Sequence, residues 1–196
     1  DHVERELGAT IAALQPDGVI LTPPHSENRQ ITQLLAKNGI PFARIGSLQE
    51  GPGIRLTMDD EGVADRVTKR LIALGHSRIG LIAGPSDYSL SGWRRDGWEK
   101  AMREEGLPIE GLCEQGDFGR ESGLLASKRL LSQSARPTAI IGSSDQMTLA
   151  ALDVARSLGL SVPGDLSLVS FDNTPIVRFS QPALAAGGGV NLFGSG

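Results

Sequence analysis

Residues 59–85, DDEGVADRVTKRLIALGHSRIGLIAGP, combine an amphipathic helical pattern with a short apolar run. The acids at 59–61 suit the positive start of a helix, and Gly75 is a natural end for it. The apolar side chains between these points recur at helical spacing: Val63, Val67, Leu71 and Leu74. Residues 78–83 then form an apolar run typical of a strand that is covered on both faces. The stretch predicts one helix–strand unit of a parallel sheet.

The same alternation extends along most of the chain. Further strands are predicted at residues 17–21, 41–45, 138–142 and 166–170. Further helices are predicted after Ser26 as an N-cap and over residues 92–105, 121–131 and 147–158. Strands that alternate with helices of this length indicate an α/β fold with doubly wound parallel sheets.

Composition restricts the function. The 196 residues hold 19 Lys and Arg against 23 Asp and Glu, for a net charge of −4. A DNA-binding surface is usually basic, so this stretch is not expected to hold nucleic acid by itself. Cys113 is the only cysteine, which rules out an internal disulfide and permits a cytoplasmic location. No apolar run approaches the roughly 18 residues of a membrane span, so no membrane partner is expected.

Polar side chains follow the predicted strands at the edge where ligands bind to parallel sheets. These groups are Thr22 with His25, the loop at 84–94, residues 143–146 and residues 172–174. Hydroxyls, carboxylates and an arginine suit a polyhydroxylated ligand, because such groups pair with adjacent hydroxyls. Phe118 could add a flat apolar face for a sugar ring or a base.

Each candidate also has a plain structural interpretation. Asp145 is equally well explained as a cap of the helix that it starts, and Asp172 as a turn residue. Arg94 taken alone is a solvated helix charge, and Phe118 is more often a core residue. The acids at 59–61 point apart on a helix start, which favours a match to the helix dipole over a metal site.

An enzyme is disfavoured. The chain has three histidines and contains no G-x-S-x-G elbow, no Walker loop and no H-E-x-x-H motif. The segment after residue 83 has a single glycine and is not a dinucleotide fingerprint. No cofactor, metal or catalytic residue is therefore predicted.

Five segments, taken in order, resemble the LacI/GalR family of transcription regulators. They are residues 73–85, the R-x-x-G-W helix at 94–98, the G-D-F…S-G stretch at 116–123, residues 144–150 and residues 162–175. Together the segments place nearly the whole chain, from about residue 14 to 182, within the resemblance.

The resemblance implies a fold like that of a periplasmic sugar-binding protein, with two doubly wound lobes and a ligand in the cleft between them. By matched position the ligand contacts would be Arg94, Phe118, Ser144 and Asp172, with Tyr88, Ser91 and Asp145 beside them and Thr22 from the other lobe. Asn is common in the family at the position of Ser144, and Asp is frequent at that of Gly46.

The resemblance also implies the domain organisation. Residues 1–57 would be a partial N-terminal lobe, and residues 58–184 a nearly complete C-terminal lobe. Residues 185–196 would be an atypical tail, because the run after 184 fits neither a helix nor a strand pattern. A helix-turn-helix headpiece and its hinge would precede the first residue.

The function expected from this resemblance is that of a ligand-sensing domain of a bacterial repressor. A carbohydrate, or alternatively a nucleobase, would bind in the interlobe cleft and control operator binding allosterically. The protein would be a homodimer that contacts DNA only through the missing headpiece. The alternative is an exported sugar-binding protein of an ABC transporter, and an enzyme on a Rossmann-like sheet is a weaker one.

Overall fold

The computed structural model describes residues 6, 9–10, 13–182 and 184–186. The chain divides into two units, one before and one after the boundary between Met58 and Asp59. In the first unit, three parallel strands lie in the order β1 (Val19–Leu21), β2 (Phe42–Ile45) and β3 (Ile54–Leu56). A 3-10 turn (His25–Glu27) and helix α1 (Arg29–Lys37) connect β1 to β2.

Helix α1 covers one face of this small sheet. Its Ile31 and Leu35 pack with Leu21 and Phe42 in a compact apolar core. The helix begins later than its sequence pattern suggests, so the interpretation of Ser26 as its N-cap is wrong. Asn28 is the cap, because its Oδ1 accepts hydrogen bonds from the backbone nitrogens of residues 30 and 31 at 2.9 and 3.2 Å. Ser26 lies buried in the 3-10 turn instead.

The second unit is built on a five-stranded parallel sheet in the order β5-β4-β6-β7-β8. Its strands are β4 (Ile79–Ala83), β5 (Cys113–Gln115), β6 (Ala139–Gly142), β7 (Ser167–Ser170) and β8 (Ala185–Ala186). Its helices are α2 (Asp60–Ala73), α3 (Ser89–Glu104), α4 (Arg120–Leu131), α5 (Asp145–Ser157) and α6 (Pro175–Arg178). The predicted α/β fold with parallel sheets is confirmed.

Helices cover both faces of the larger sheet. Helices α2 and α3 pack on one face around the fully buried Trp98, whose Nε1 donates to the carbonyl of Ile79 at 3.2 Å. Helices α4 and α5 pack on the other face. Successive residues of β4 alternate between these cores: Leu81 points to the first and Ile82 to the second. This is the doubly wound arrangement.

Strands β5 and β8 of this sheet were not predicted from the sequence. Strand β8 corrects the expectation for the start of the tail. Strand β8 pairs with β7, with Ala185 opposite Val169 and Ala186 opposite Ser170. The expectation that the run after residue 184 continues no regular pattern is therefore wrong for these two residues. Residues 187–196 of the predicted tail lie outside the described part of the chain. None of the helices in that part is long and apolar enough to cross a membrane.

Candidate functional site

The candidate site lies at the carboxyl edge of the five-stranded sheet. The loops that leave β4, β5, β6 and β7 at this edge, together with the helices that follow them, carry seven of the eight residues proposed from the sequence. These are Tyr88, Ser91, Arg94, Phe118, Ser144, Asp145 and Asp172. Parallel topology accounts for this clustering, because every strand ends at the same edge.

Arg94 is buried at this edge, and two of its three guanidinium nitrogens donate hydrogen bonds. It is 7% exposed, so the interpretation as a solvated helix charge is wrong. Its Nε donates to Oδ1 of Asp60 at 2.8 Å, and its Nη1 donates to the carbonyl of Ser143 at 2.7 Å. The guanidinium also stacks 4.5 Å from the ring centre of Phe171. These contacts hold Arg94 in one orientation.

Asp60 belongs to the candidate site, although the sequence pattern does not reveal it. The run of acids at 59–61 suits the helix dipole, and Asp59 fits that view because it caps α2 by accepting from the nitrogen of Gly62 at 3.0 Å. Asp60, however, is 4% exposed and pairs with Arg94. The signal that could have identified it is a second acid directly after the cap of a helix that packs on α3.

Asp172 lies beside this pair and is exposed at the surface. Partial loss of solvation raises the pKa of its carboxyl group above the ordinary value of 3.8, against a hydrogen bond from the backbone nitrogen of Asp145 and the charge of Arg94. That hydrogen bond reaches Oδ2 of Asp172 at 3.3 Å. The charges of Asp145 and Asp60 raise the pKa further. Asp60, Arg94, Asp145 and Asp172 thus form one electrostatic cluster.

Asp145 is buried, and both of its oxygens are already used. One accepts from the hydroxyl of Ser170, and the other accepts from the backbone nitrogen and the hydroxyl of Thr174 at 2.7 and 2.5 Å. It does not cap its own helix: the N-cap of α5 is Ser144, whose Oγ accepts from the nitrogen of Met147 at 3.2 Å. Asp145 therefore ties the loop after β7 to the start of α5.

Phe118 and Tyr88 form the apolar part of the site. Their ring centres are 5.6 Å apart in an edge-to-face arrangement, and the Phe118 carbonyl accepts from Oγ of Ser144 at 2.8 Å. Phe118 has a φ of 68°, a left-handed conformation that is unfavourable for a bulky side chain. Gly84 is required beside it, because a Cβ there would collide with the Phe118 ring and with Oγ of Ser91.

Three buried polar atoms at this edge have no hydrogen-bond partner. They are Oγ of Ser91, Oγ of Ser143 and Oδ2 of Asp60. Buried polar atoms are almost always paired with protein or water, so unpaired atoms that gather at one place indicate where further polar groups bind. All three residues flank Arg94 in the fold or in the sequence.

Thr22, the eighth candidate, belongs to the first unit. It follows β1, is exposed, and its carbonyl accepts from the nitrogen of Ser26 at 3.0 Å. Thr22 and His25 line a depression of about 320 Å³ in that unit. Among the residues that the structure describes, no group of three histidine, cysteine or acidic side chains could hold a metal ion.

Comparison with known proteins gives one consistent result. Residues 68–186 match the family described as "Periplasmic binding protein-like domain". The chain is 33% identical over 189 residues to the HTH-type transcriptional regulator CelR of Thermobifida fusca, covering 94% of the chain and 55% of that protein. It is 44% identical over 115 residues to the HTH-type transcriptional repressor PurR of Escherichia coli, covering 58% of the chain and 34% of that protein.

A solved structure agrees with these relatives. The structure of a CelR–cellobiose complex superimposes with a TM-score of 0.82 at 32% identity, over 93% of this chain and 57% of that one. The chain is a doubly wound α/β domain with polar side chains at one sheet edge, and it is similar to transcription regulators over nearly its whole length. These features define a ligand-sensing module. The chain belongs to the periplasmic binding protein-like family, as the effector-binding domain of a LacI-family transcription regulator. The relatives named here are regulators and not enzymes, in agreement with the sequence. The chain spans about half the length of CelR.

Proposed function

We propose that this chain senses a small polyhydroxylated effector for a cytoplasmic transcriptional repressor. The observation that carries the proposal is the cluster at the carboxyl edge of the five-stranded sheet. There a carboxylate (Asp172), a fixed guanidinium (Arg94) and two unpartnered hydroxyls (Ser91 and Ser143) lie near an aromatic pair.

The residue types favour a carbohydrate as the effector. A carboxylate accepts hydrogen bonds from neighbouring hydroxyls, while serine hydroxyls can both donate and accept. Aromatic rings such as those of Phe118 and Tyr88 offer apolar faces to the C–H side of a sugar. A nucleobase is the second candidate, since it would stack on the same rings. Cellobiose is the first probe to use, because the similar CelR structure is a cellobiose complex.

Control of DNA binding would be allosteric. An effector that binds one conformation of the sensing domain more tightly than another shifts their populations, and the shift is transmitted to a DNA-binding segment. The relatives carry the name HTH-type regulators, so a helix-turn-helix segment of the full-length protein is the partner that would contact the operator. The net charge of −4 agrees with a sensing domain that does not itself grip DNA.

A second copy of the chain is the proposed protein partner. A groove of about 340 Å³ lies between the exposed sides of α5 and α6, lined by apolar residues such as Leu149 and Ile176. Ile176 is 54% exposed, and the neighbouring Phe179 is 85% exposed. The rim carries both signs of charge, with Arg120 bonded to Asp153 at 2.6 Å. A surface with both charges can complement itself across a two-fold axis.

The sensing function is tested by a thermal-shift screen of neutral sugars and purines, followed by calorimetric titration. Saturation at roughly 100 times Kd adds about 2.7 kcal/mol of stability, which is easily measured. At least one sugar or purine is expected to bind. A screen in which none of these compounds stabilises the protein would contradict the proposed effector class.

Control of operator binding is tested by a gel-shift experiment on the full-length gene product with promoter DNA from its own locus, with and without the effector. We expect specific DNA binding that the effector changes. Effector binding without any operator binding would contradict the proposed control of transcription.

A further inference from the structure

We propose that Ser144 is a positioning residue, which fixes the aromatic surface of the effector site by holding the backbone of Phe118. The resemblance to the LacI/GalR family implies a direct ligand contact at this position instead. The inference rests on the proposed sensing function and specifies how the site is held ready for its ligand.

The hydroxyl of Ser144 is already committed to the protein. Its Oγ donates to the carbonyl of Phe118 at 2.8 Å and accepts from the backbone nitrogen of Met147 at 3.2 Å. A serine hydroxyl has a single proton to donate, so Ser144 can offer an effector only its remaining lone pair. The neighbouring Ser143 differs, because its buried Oγ has no hydrogen-bond partner. Of the two hydroxyls, that of Ser143 is the one open to a ligand.

Phe118 needs a hold from outside its own loop, because its backbone conformation is unfavourable. Its φ of 68° lies in the left-handed region, which bulky residues rarely adopt unless the surrounding structure imposes it. The residues on either side are fixed locally: Oδ1 of Asp117 accepts from the nitrogen of Gly119 at 2.8 Å and from the hydroxyl of Ser122 at 2.5 Å. The bond to the Phe118 carbonyl comes instead from another element, the start of α5.

The backbone of Phe118 sets the position of its ring, and the ring has little freedom. A Cβ at Gly84 would collide with it, so the ring lies directly against the backbone of the loop after β4. On another side the ring of Tyr88 packs edge-to-face against it, with 5.6 Å between the ring centres. A turn of the Phe118 backbone therefore moves the ring relative to Tyr88 and changes the apolar surface that an effector would meet.

The plain alternative is that Ser144 only caps α5 through its bond from Met147. The two roles can be separated by substitution. Glycine is tolerated at an N-cap nearly as well as serine, whereas alanine is not. Glycine has no hydroxyl to donate to Phe118, so it retains most of the capping and loses the positioning bond. Threonine retains both, and alanine loses both.

The test uses Tyr88, the only tyrosine in the chain, as a probe of the Phe118 ring. Fluorotyrosine incorporation gives the protein a single ¹⁹F resonance, whose position depends on the ring current of Phe118. The spectrum is recorded for the wild type and for Ser144→Gly, Ser144→Ala and Ser144→Thr. The control is Ser157→Ala, which removes a hydroxyl that donates to the carbonyl of Val154 at 2.8 Å at the far end of α5. Chemical denaturation of each variant gives its stability in parallel.

We expect Ser144→Gly and Ser144→Ala to shift the resonance by similar amounts, each larger than the wild-type linewidth. Ser144→Thr and Ser157→Ala should leave it at the wild-type position. A resonance that stays in place in Ser144→Gly, or that moves as far in Ser144→Thr as in Ser144→Gly, would overturn the inference. A shift in Ser144→Ala alone, matched by a loss of stability in that variant alone, would show that Ser144 acts only as a cap.

If Ser144→Ala does not fold, as judged by circular dichroism, the comparison of Ser144→Gly with Ser144→Thr still decides the outcome. No effector is added in this experiment. Its result is therefore independent of the thermal-shift screen, which tests the sensing function itself.

Discussion

Arg94 and Asp60 form a buried ion pair that joins the start of α2 to the middle of α3, with 2.8 Å between Nε and Oδ1. Their side chains are 8% and 3% exposed, and the guanidinium is further held by a backbone carbonyl and an aromatic face. The pair orients one face of the site before any ligand arrives. It also makes Arg94 a structural residue as well as a candidate ligand contact.

Breaking this pair from either side should therefore destabilise the domain. We expect Arg94→Ala and Asp60→Ala each to lower the free energy of unfolding by about 3–5 kcal/mol, because each leaves a buried charge without its partner. The double variant should lose clearly less than the sum. Chemical denaturation measures these values, and Arg103→Ala, which removes an exposed partner of Glu99, is the control, with a loss of about 0–1 kcal/mol. Additive losses would contradict the coupling.

Asp145 should act on loop position and stability. Asp145→Asn removes the charge that accepts from Thr174 and Ser170, and hydrogen bonds to charged groups contribute about 1.5–3 kcal/mol each. We expect a loss of that order in the free energy of unfolding and faster hydrogen exchange at the nitrogen of Thr174. Asp153→Asn removes an exposed acid from the same helix and should be nearly neutral. Equal stability of the two variants would show that the hydrogen bonds from Ser170 and Thr174 to Asp145 do not stabilise the domain.

His76 should make stability depend on pH below about neutrality. Its Nδ1 lies 2.8 Å from Oγ1 of Thr138, and burial lowers the pKa of the imidazole below 6.5. The unfolded chain therefore binds more protons than the folded one in the window just below pH 6.5, so stability falls as the pH drops through it. Melting curves should show this loss, and His76→Asn should reduce it. An identical pH profile for the variant would show that His76 is not the group responsible for this loss of stability.

Cys113 should be a slow thiol despite being unpaired. Burial raises the pKa of its thiol from 9.0 to about 11. The reactive thiolate is then roughly a hundred-fold scarcer at pH 8 than for an ordinary cysteine. Iodoacetamide labelling, followed by mass spectrometry, should be slowed by about that factor in the folded protein and restored in denaturant. Rapid labelling of the native protein would show that the strand around Cys113 opens easily.

The fold was predictable where pattern and packing agree. The pattern of residues 59–85 identifies α2 and β4. The apolar side chains of α2 recur at helical spacing, and those of β4 form a continuous buried run. Strand β5 escaped prediction because its sequence, Cys-Glu-Gln, is short and only half-buried at the sheet edge. Strand β8 escaped because two alanines carry no periodic signal, and backbone pairing with β7 alone defines them.

The sequence predicted that the candidate residues would lie together, but not which of them would be bonded to one another. The parallel topology places Arg94, Phe118 and Asp172 at one sheet edge, and the segments that resemble the LacI/GalR family indicate them as ligand contacts. The sequence could not show that Asp60 would pair with Arg94, 34 positions away. Nor could it show that the two oxygens of Asp145 would accept hydrogen bonds from Ser170 and Thr174. Such pairings depend on how two helices pack, which local spacing does not encode.

The most direct test of the account is calorimetric titration of Phe118→Ala and Asp172→Ala with the first effector that the thermal screen identifies. Both variants should fold, because Phe118 is only half-buried and Asp172 is exposed. Arg129→Ala, which breaks an exposed contact with Glu114, is the matched control. We expect affinity losses of about ten-fold in both site variants and none in the control. A charged hydrogen bond contributes about 1.5–3 kcal/mol, and an aromatic contact adds about 0.5–1.5 kcal/mol to the burial of its apolar area. Unchanged affinity in both site variants would contradict the placement of the effector at the carboxyl edge of the five-stranded sheet.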